Sequence, residues 1–237
     1  MLKVVTMLTH NDPRKAGAHG GNDFWKQWGV EYVRRFFAAA DRGIKEDYIP
    51  FILTNVPELV HDMAVPLLVD TERAPGWWAK LELFNPHHRL EGRTLFCDLD
   101  NIVGGDMTPI LDLWDDETYW ALDDLVDPGR FNSSTMYCDP SRHVDIWDRF
   151  RFNPGKVIAE YTHWPHASDQ AFIWDMLREK HHRIRLMQDA LPKGLILNAR
   201  LELEKGADWR DTRLVYGSWR PKPHESTHPF YKEHWSV

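Results

Sequence analysis

Apolar and polar positions along this chain change period several times, and each change marks an element. The run KVVTML, Lys3 to Leu8, predicts a buried strand, and a polar, Gly-rich loop, THNDPRKAGAHGGND, follows it. Val30, Val33, Phe36, Phe37 and Ala40 then recur at three- and four-residue intervals, the spacing of one helix face. Asn22 or Asp23 can cap the start of that helix and Gly43 can end it. YIPFILT, Tyr48 to Thr54, is again strand-like. Its Pro50 predicts an edge position or a bulge, because proline has no N–H to give to a ladder. PLLVD, ending at Asp70, predicts a further strand, the apolar WWAKLELF, Trp77 to Phe84, a short helix, and TLFC, Thr94 to Cys97, a buried strand. MTPILDLW predicts another short helix. Strands alternating with helices in this way predict an α/β fold, a mixed and mostly parallel central sheet with helices layered on it.

The second half is more broken. RFNSSTMYCD alternates enough for a strand, and SRHVDIWDRF is amphipathic, with Val144, Trp147 and Phe150 on one face. SDQAFIWDMLREK predicts a helix that starts at Ser168 or Asp169, and RIRLM, GLIL and RLVYG predict short strands. No internal repeat, low-complexity tract or long linker divides the chain, so a single domain over residues 1–237 is expected. The tail, residues 219–237, carries Pro221, Pro223 and Pro229 and predicts an irregular segment or lid packed on that domain.

Composition narrows the picture. A chain of 237 residues with 43% hydrophobic content can bury a full core. Lys and Arg total 29 against 36 Asp and Glu, and the net charge of −7 argues against broad electrostatic binding of nucleic acid or an anionic membrane. No apolar run reaches the roughly 20 residues of a membrane span. MLKVVTMLTHND turns polar too early for a secretory signal, so a cytoplasmic location is expected. Cys97 and Cys138 each precede an aspartate at a strand end and read as buried thiols. The 12 Trp supply large apolar area for a core, and none is assignable to a sugar platform by itself.

The chemistry concentrates in RTLFCDLDNIVGG, where Asp98 and Asp100 leave a buried strand one residue apart. Crowded like charges persist only with a partner cation, an unequal sharing of protons, or open solvent. Residues at i and i+2 share one face of a strand, so the two carboxylates are spaced to hold a hard divalent cation that also takes diphosphate oxygens. Asn101 is placed to orient them. Ligands of α/β sheets gather beyond the carboxyl ends of the strands, which is where this pair falls. A solvated acidic loop is the alternative.

The order WWAKLELF, RTLFCDLDNIVGG, FNSSTM, SDQAFI and RPKP, from Trp77 to Pro223, resembles the GT-A glycosyltransferases of the glycogenin and bacterial lipopolysaccharide galactosyltransferase type. The resemblance implies a Rossmann-like GT-A domain that moves a hexose from a nucleoside diphosphate sugar, a UDP-sugar, to an acceptor hydroxyl, with retention of configuration and with Mn2+ or Mg2+ as cofactor. It implies Asp98 and Asp100 as metal ligands. Thr9, Lys80, Asn132 and Lys222 fall to the donor, Lys222 at its diphosphate and Asn132 near its sugar. Asp169 and Gln170 fall to the reacting face. The residue types suit these roles, since sugar hydroxyls need fixed acceptors and amides and a leaving diphosphate needs cations. Each also has a plain structural use: Asp169 as a helix cap, Asn132 as a turn residue, the lysines as surface charges.

One departure stands out. The family carries a histidine as third metal ligand just before its Lys-Pro, whereas this chain reads VYGSWRPKP, with Tyr216, Ser218 and Trp219 there. His224, His163 or His166 of HWPH, or water, are the candidates to fill the position. HWPH itself has no Cys or carboxylate partner at a zinc-like interval. GAHGG, Gly17 to Gly21, lacks a dinucleotide fingerprint but can bring backbone N–H groups near a phosphate. Two rivals remain: a noncatalytic nucleotide-sugar or glycan-binding module of the same fold, and a phosphatase, since FCDLDNIV also resembles the nucleophile motif of the haloacid dehalogenase superfamily.

Overall fold

A computed structural model describes residues 1–10, 22–127, 129–162, 168–217 and 222–236, with residues 22–28 described by their helical backbone alone. Strand β1 (Leu2–Leu8) leads to helix α1 (Asn22–Gly43), β2 (Tyr48–Thr54), β3 (Val65–Leu68), a buried 3-10 helix Gly76–Phe84, β4 (Thr94–Cys97) and β5 (Ile102–Val103). There follow α2 (Thr108–Leu111), β6 (Thr118–Asp123), β7 (Phe131–Cys138), α3 (Val144–Phe152), α4 (Pro154–Glu160) and α5 (Asp169–Glu179). The chain ends with β8 (Arg183–Leu186), α6 (Met187–Ala190), β9 (Ile196–Asn198), β10 (Leu214–Tyr216) and α7 (Pro229–His234). Within the span expected to be irregular, α7 is thus helical, and it buries Phe230 and Tyr231.

The central sheet has seven strands in the order β3-β2-β1-β4-β7-β6-β8. Its first four are parallel, β7 runs antiparallel to both its neighbours, and β8 is parallel to β6. The expected mixed, mostly parallel sheet is therefore present. Pro50 did not make β2 an edge strand: β2 lies between β1 and β3, and Pro50 pairs with Val4. The strand tolerates it because the ladder to the short β3 begins only at Phe51, opposite Val65. On that side the missing N–H costs no ladder bond.

Alternation along β1 sends Leu2, Val4 and Leu8 to one face of the sheet and Val5 and Met7 to the other. The first face packs on Val33, Phe36, Phe37 and Ala40 of α1, the helical stripe expected from the sequence. The second packs on the 3-10 helix, on Ile146, Trp147 and Phe150 of α3 and on Phe172 and Ile173 of α5. Trp78 stacks on Phe150 with ring centroids 5.8 Å apart and planes 3° from parallel. Cys97 and Cys138 are buried free thiols, as expected. A second sheet, β5-β10-β9, buries Leu197 and Val215 with Phe230 and Tyr231. No helix among the described residues is long and apolar enough to cross a membrane.

One registry break shapes everything that follows. Across β6 and β7, Leu122 pairs with Asn132 but Ala121 pairs with Met136, so Ser133, Ser134 and Thr135 bulge out of the β6 ladder. A bulge re-aims the side chains it carries. Here it turns them toward the end of β4.

His143 lies at the start of α3, 3% exposed, among the rings of Tyr119, Phe84 and His182. Its Nδ1 has no hydrogen-bond partner among the described residues. Burial, followed by the field of His182, pushes its pKa down to about 3, with Asp139 opposing and Arg142 adding to the effect. The fold thus holds the neutral ring, while the unfolded chain takes up a proton below its ordinary value. The stability this confers is present above pH 6.5 and is lost as pH falls toward 3. Unfolding in urea at pH 7 and pH 5 should show the protein less stable at pH 5 by about 2 kcal/mol from this group. His143→Phe should shrink that difference.

Candidate functional site

The sheet's connectivity collects one end of several strands at a single edge. β1, β4 and β6 finish there and the antiparallel β7 starts there, which brings together Thr9, Asp98, Asp124 and Asn132. The 3-10 helix delivers Lys80 beneath that edge, and α5 delivers Asp169 and Gln170 at its first two positions. Ser168, the residue before them, takes φ 152° and ψ 174°, a region otherwise left to glycine, so backbone strain is stored next to the acidic residue.

Lys80 is the centre of the cluster. Its side chain is only 4% exposed, and Nζ lies 3.1 Å and 3.2 Å from the two carboxylate oxygens of Asp98 and 3.5 Å from Asp169 Oδ2. It also donates to the carbonyl and the hydroxyl of Ser133, each at 3.2 Å, and that hydroxyl donates to Asp169 at 3.1 Å. Burial works against the ammonium, but the charges of Asp169 and Asp98 outweigh it and hold the Lys80 pKa above its ordinary value. For Asp98, burial wins over Lys80, and the fields of Asp100 and Asp169 add to it, raising the carboxyl to about 6. As arranged, Lys80 spends its three donors on the carboxylates and on the bulge.

Asp100 has a different cation. Lys222 Nζ sits 2.5 Å from its Oδ2. Burial raises the Asp100 carboxyl, but Lys222 more than offsets it, leaving the group below the ordinary range, and Asp100 in turn raises Lys222. The backbone beside Asp100 is Gly217. A Cβ there would lie 2.8 Å from the carboxylate, so only glycine leaves this cradle open. Asn101 does not orient the pair through its side chain. It donates to Ser134 O and Thr135 Oγ1, each at 2.7 Å, and accepts from Gly217 N at 3.2 Å, tying the turn to the bulge and to the strand beyond it.

Gln170 is fixed at both ends of its amide. Oε1 accepts from Ser133 N at 3.1 Å and Nε2 donates to Asp124 Oδ2 at 2.6 Å. Asn132 Oδ1 accepts from the backbone and the hydroxyl of Ser134, at 3.0 Å and 2.5 Å, which is its turn-residue use. Thr9 is buried at the exit of β1. The residue after it, His10, is clamped to Asn55 by bonds of 2.8 Å and 2.7 Å. Asp124 and Ser133 escaped the sequence reading. The doublet Asp123-Asp124 after an apolar run was the available signal for the first, and the second has none outside the bulge.

The two aspartates offer hard oxygen donors suited to Mn2+ or Mg2+, and without a Cβ at Gly217 the Asp100 carboxylate can lie directly against the backbone beside the pair, so these residues fit the cofactor. Among the described residues no third His, Cys, Asp or Glu joins them as a metal-holding group. His224, one candidate for that position, has Nδ1 2.7 Å from the Tyr32 hydroxyl and its ring edge-on to Tyr32. His163, His166, Ser218, Trp219 and the GAHGG loop lie outside the described residues.

No protein-family model and no curated protein matches the sequence. Solved structures do. A galactosyltransferase, LgtC, in complex with donor and acceptor sugar analogues matches with a TM-score of 0.59 at 12% identity, over 100% of this chain and 97% of that one. An active-site mutant of LgtC matches at 0.58 and 13% over the same shares. The apo form of the glycosyltransferase GlyE from Streptococcus pneumoniae TIGR4 matches at 0.56 and 14%, over 94% of this chain and 55% of that one, so the chain spans little more than half of GlyE. At such identities the likeness is one of fold: the chain has the GT-A fold.

Two outcomes are expected. Lys80→Met leaves the buried Asp169 and the partly buried Asp98 without their cation and should lower the unfolding free energy by about 3 kcal/mol in a urea titration, with Asp169→Asn in the same chain restoring part of it. Ser168→Gly removes the backbone strain and should raise stability by about 1 kcal/mol in the same assay.

Proposed function

We propose that this chain is a metal-dependent glycosyltransferase that moves a hexose from a nucleoside diphosphate sugar, a UDP-sugar, to an acceptor hydroxyl. The observation that carries the reading is the joining, at one sheet edge of a GT-A fold, of the Asp98 and Asp100 carboxylates, two lysines, and the Asp169-Gln170 pair. LgtC, which shares the fold, holds donor and acceptor sugar analogues, and that supports a donor and an acceptor here.

In this reading Asp98 and Asp100 would hold Mn2+ or Mg2+. The ion's chemistry is to neutralise the charge that grows on the leaving diphosphate. The chain's own residues do the rest. Lys80 keeps Asp98 and Asp169 in place, and Asp169 and Asn132 supply acceptors and an amide for sugar hydroxyls. The acceptor oxygen bonds to the anomeric carbon on the face that the diphosphate leaves, the diphosphate departs with the bonding pair, and the hydroxyl proton passes to the departing diphosphate oxygen. Gln170, with Nε2 on Asp124 and Oε1 on Ser133 N, can stabilise positive charge at that carbon but cannot act as a base. Retention of configuration is the outcome that the resemblance implies. The reading places the protein in the cytoplasm, with its partners a nucleotide sugar and a hydroxyl acceptor.

Thermal unfolding against a panel of nucleotide sugars, with and without Mn2+, tests the proposal. At least one UDP-sugar should raise Tm by several degrees only when Mn2+ is present, and Asp100→Asn should abolish the shift. The same sugar should be slowly hydrolysed, releasing UDP. Stabilisation by a sugar that is never hydrolysed or transferred would make the chain a binding module, and no stabilisation by any of them would sink the proposal.

A further inference from the structure

The two lysines of the site are not equivalent. Lys80 is 4% exposed and braced by Asp98, Asp169 and Ser133, whereas the Lys222 side chain is 25% exposed and paired with Asp100. The backbone of Lys222 is anchored separately: its N donates to Glu225 Oε2 at 2.8 Å, and its carbonyl accepts from the backbone N–H of Glu225 and Ser226. The ammonium can therefore swing while its anchor stays in place. It also occupies an oxygen of the carboxylate that packs directly against Gly217.

We infer that Lys222 is an exchangeable internal cation, which holds Asp100 until a divalent ion takes that carboxylate and then passes to the incoming diphosphate, so that ion and donor bind cooperatively. The inference rests on the metal-dependent reading above and goes beyond it by coupling the two binding events. Charge decides the direction. Among the described residues three carboxylates, Asp98, Asp100 and Asp169, pair with the two ammoniums of Lys80 and Lys222, and Glu225 adds further negative charge beside Lys222. A diphosphate arriving alone deepens that excess, and a divalent ion arriving alone must displace a partly buried ion pair and strand an ammonium. Arriving together, the ion takes Asp100 and the diphosphate takes the ammonium. Each ligand removes the cost of the other, which is a coupling free energy and is reciprocal.

Calorimetric titration of the full chain with Mn2+, in the absence and presence of UDP, tests this. With Mn2+ alone, Lys222→Met should bind about tenfold or more tighter than the wild type, since no cation has to leave Asp100. UDP should raise the Mn2+ affinity of the wild type strongly and that of Lys222→Met by about tenfold less. Lys222→Arg, which keeps a cation, should stay near the wild type, and Lys222→Gln provides the same comparison as Lys222→Met where the methionine disturbs the turn. Equal Mn2+ affinities in the wild type and both neutral variants would overturn the exchange and leave the metal site standing. If no variant binds Mn2+ even with UDP, both the exchange and the metal-dependent reading fall.

Discussion

Three carboxylates crowd the end of β4 and α5, and nothing at that edge of the sheet can pack until they are neutralised. Lys80 does most of this from within the protein, and its requirements explain a segment that would otherwise be odd. The 3-10 helix Gly76–Phe84 buries every residue from Trp78 to Phe84, two charged ones included. Lys80 is satisfied by Asp98, Asp169 and Ser133, and Glu82 by Asn85 and His88. Buried charges with partners on both sides cannot slide along the sheet. The helix is therefore locked in register with β4, β7 and α5, and the site inherits the rigidity of the core.

The same interaction separates what could be read in the sequence from what could not. β1, β2 and α1 were legible as long apolar runs or a clean helical stripe, and the four-residue β4 because TLFC runs straight into the Asp pair. β6 was not, because Thr118–Asp123 is buried almost throughout, and a short apolar run without alternation has no period to recognise. Missing β6 also meant missing Asp124 at its end. The bulge over Ser133–Thr135 was invisible for a different reason, since it exists only in the register between two strands. With it went the role of Ser133. Lys80 was assigned from resemblance to the donor, while its place among the carboxylates depends on a helix buried more deeply than a basic residue predicts.

A second constraint comes from how the two sheets share the Asp pair. Asp98 continues β4 and is held by its N–H to Ser134 O, so it belongs to the large sheet. Asp100 and Asn101 lead directly into β5, whose partner β10 ends beside them at Gly217, so Asp100 belongs to the small one. The small sheet is stapled back by the Tyr216 hydroxyl, which donates to Asp123 O at 3.1 Å, and by α7, whose Phe230 ring covers Gly104 closely enough to exclude a Cβ. The tail that carries Lys222 thus lies downstream of the strand that positions its target.

That arrangement bears on how a site with so short a ligand list could work. A third protein ligand would fix an ion on the aspartates whether or not a donor were present. Under the metal-dependent reading an ion would meet, among the described residues, two carboxylates from two sheets, each already facing a lysine, and its remaining coordination would fall to the diphosphate or to water. Under the exchange inferred for Lys222, affinity for the ion would be low by itself and would rise with the donor. The amide of Gln170, held by Ser133 and Asp124 and unable to exchange a proton, fits the same logic. Under the transferase reading this site stabilises charge by arrangement instead of by moving protons, and the energy for that arrangement was spent when the bulge, the 3-10 helix and the buried lysine folded together.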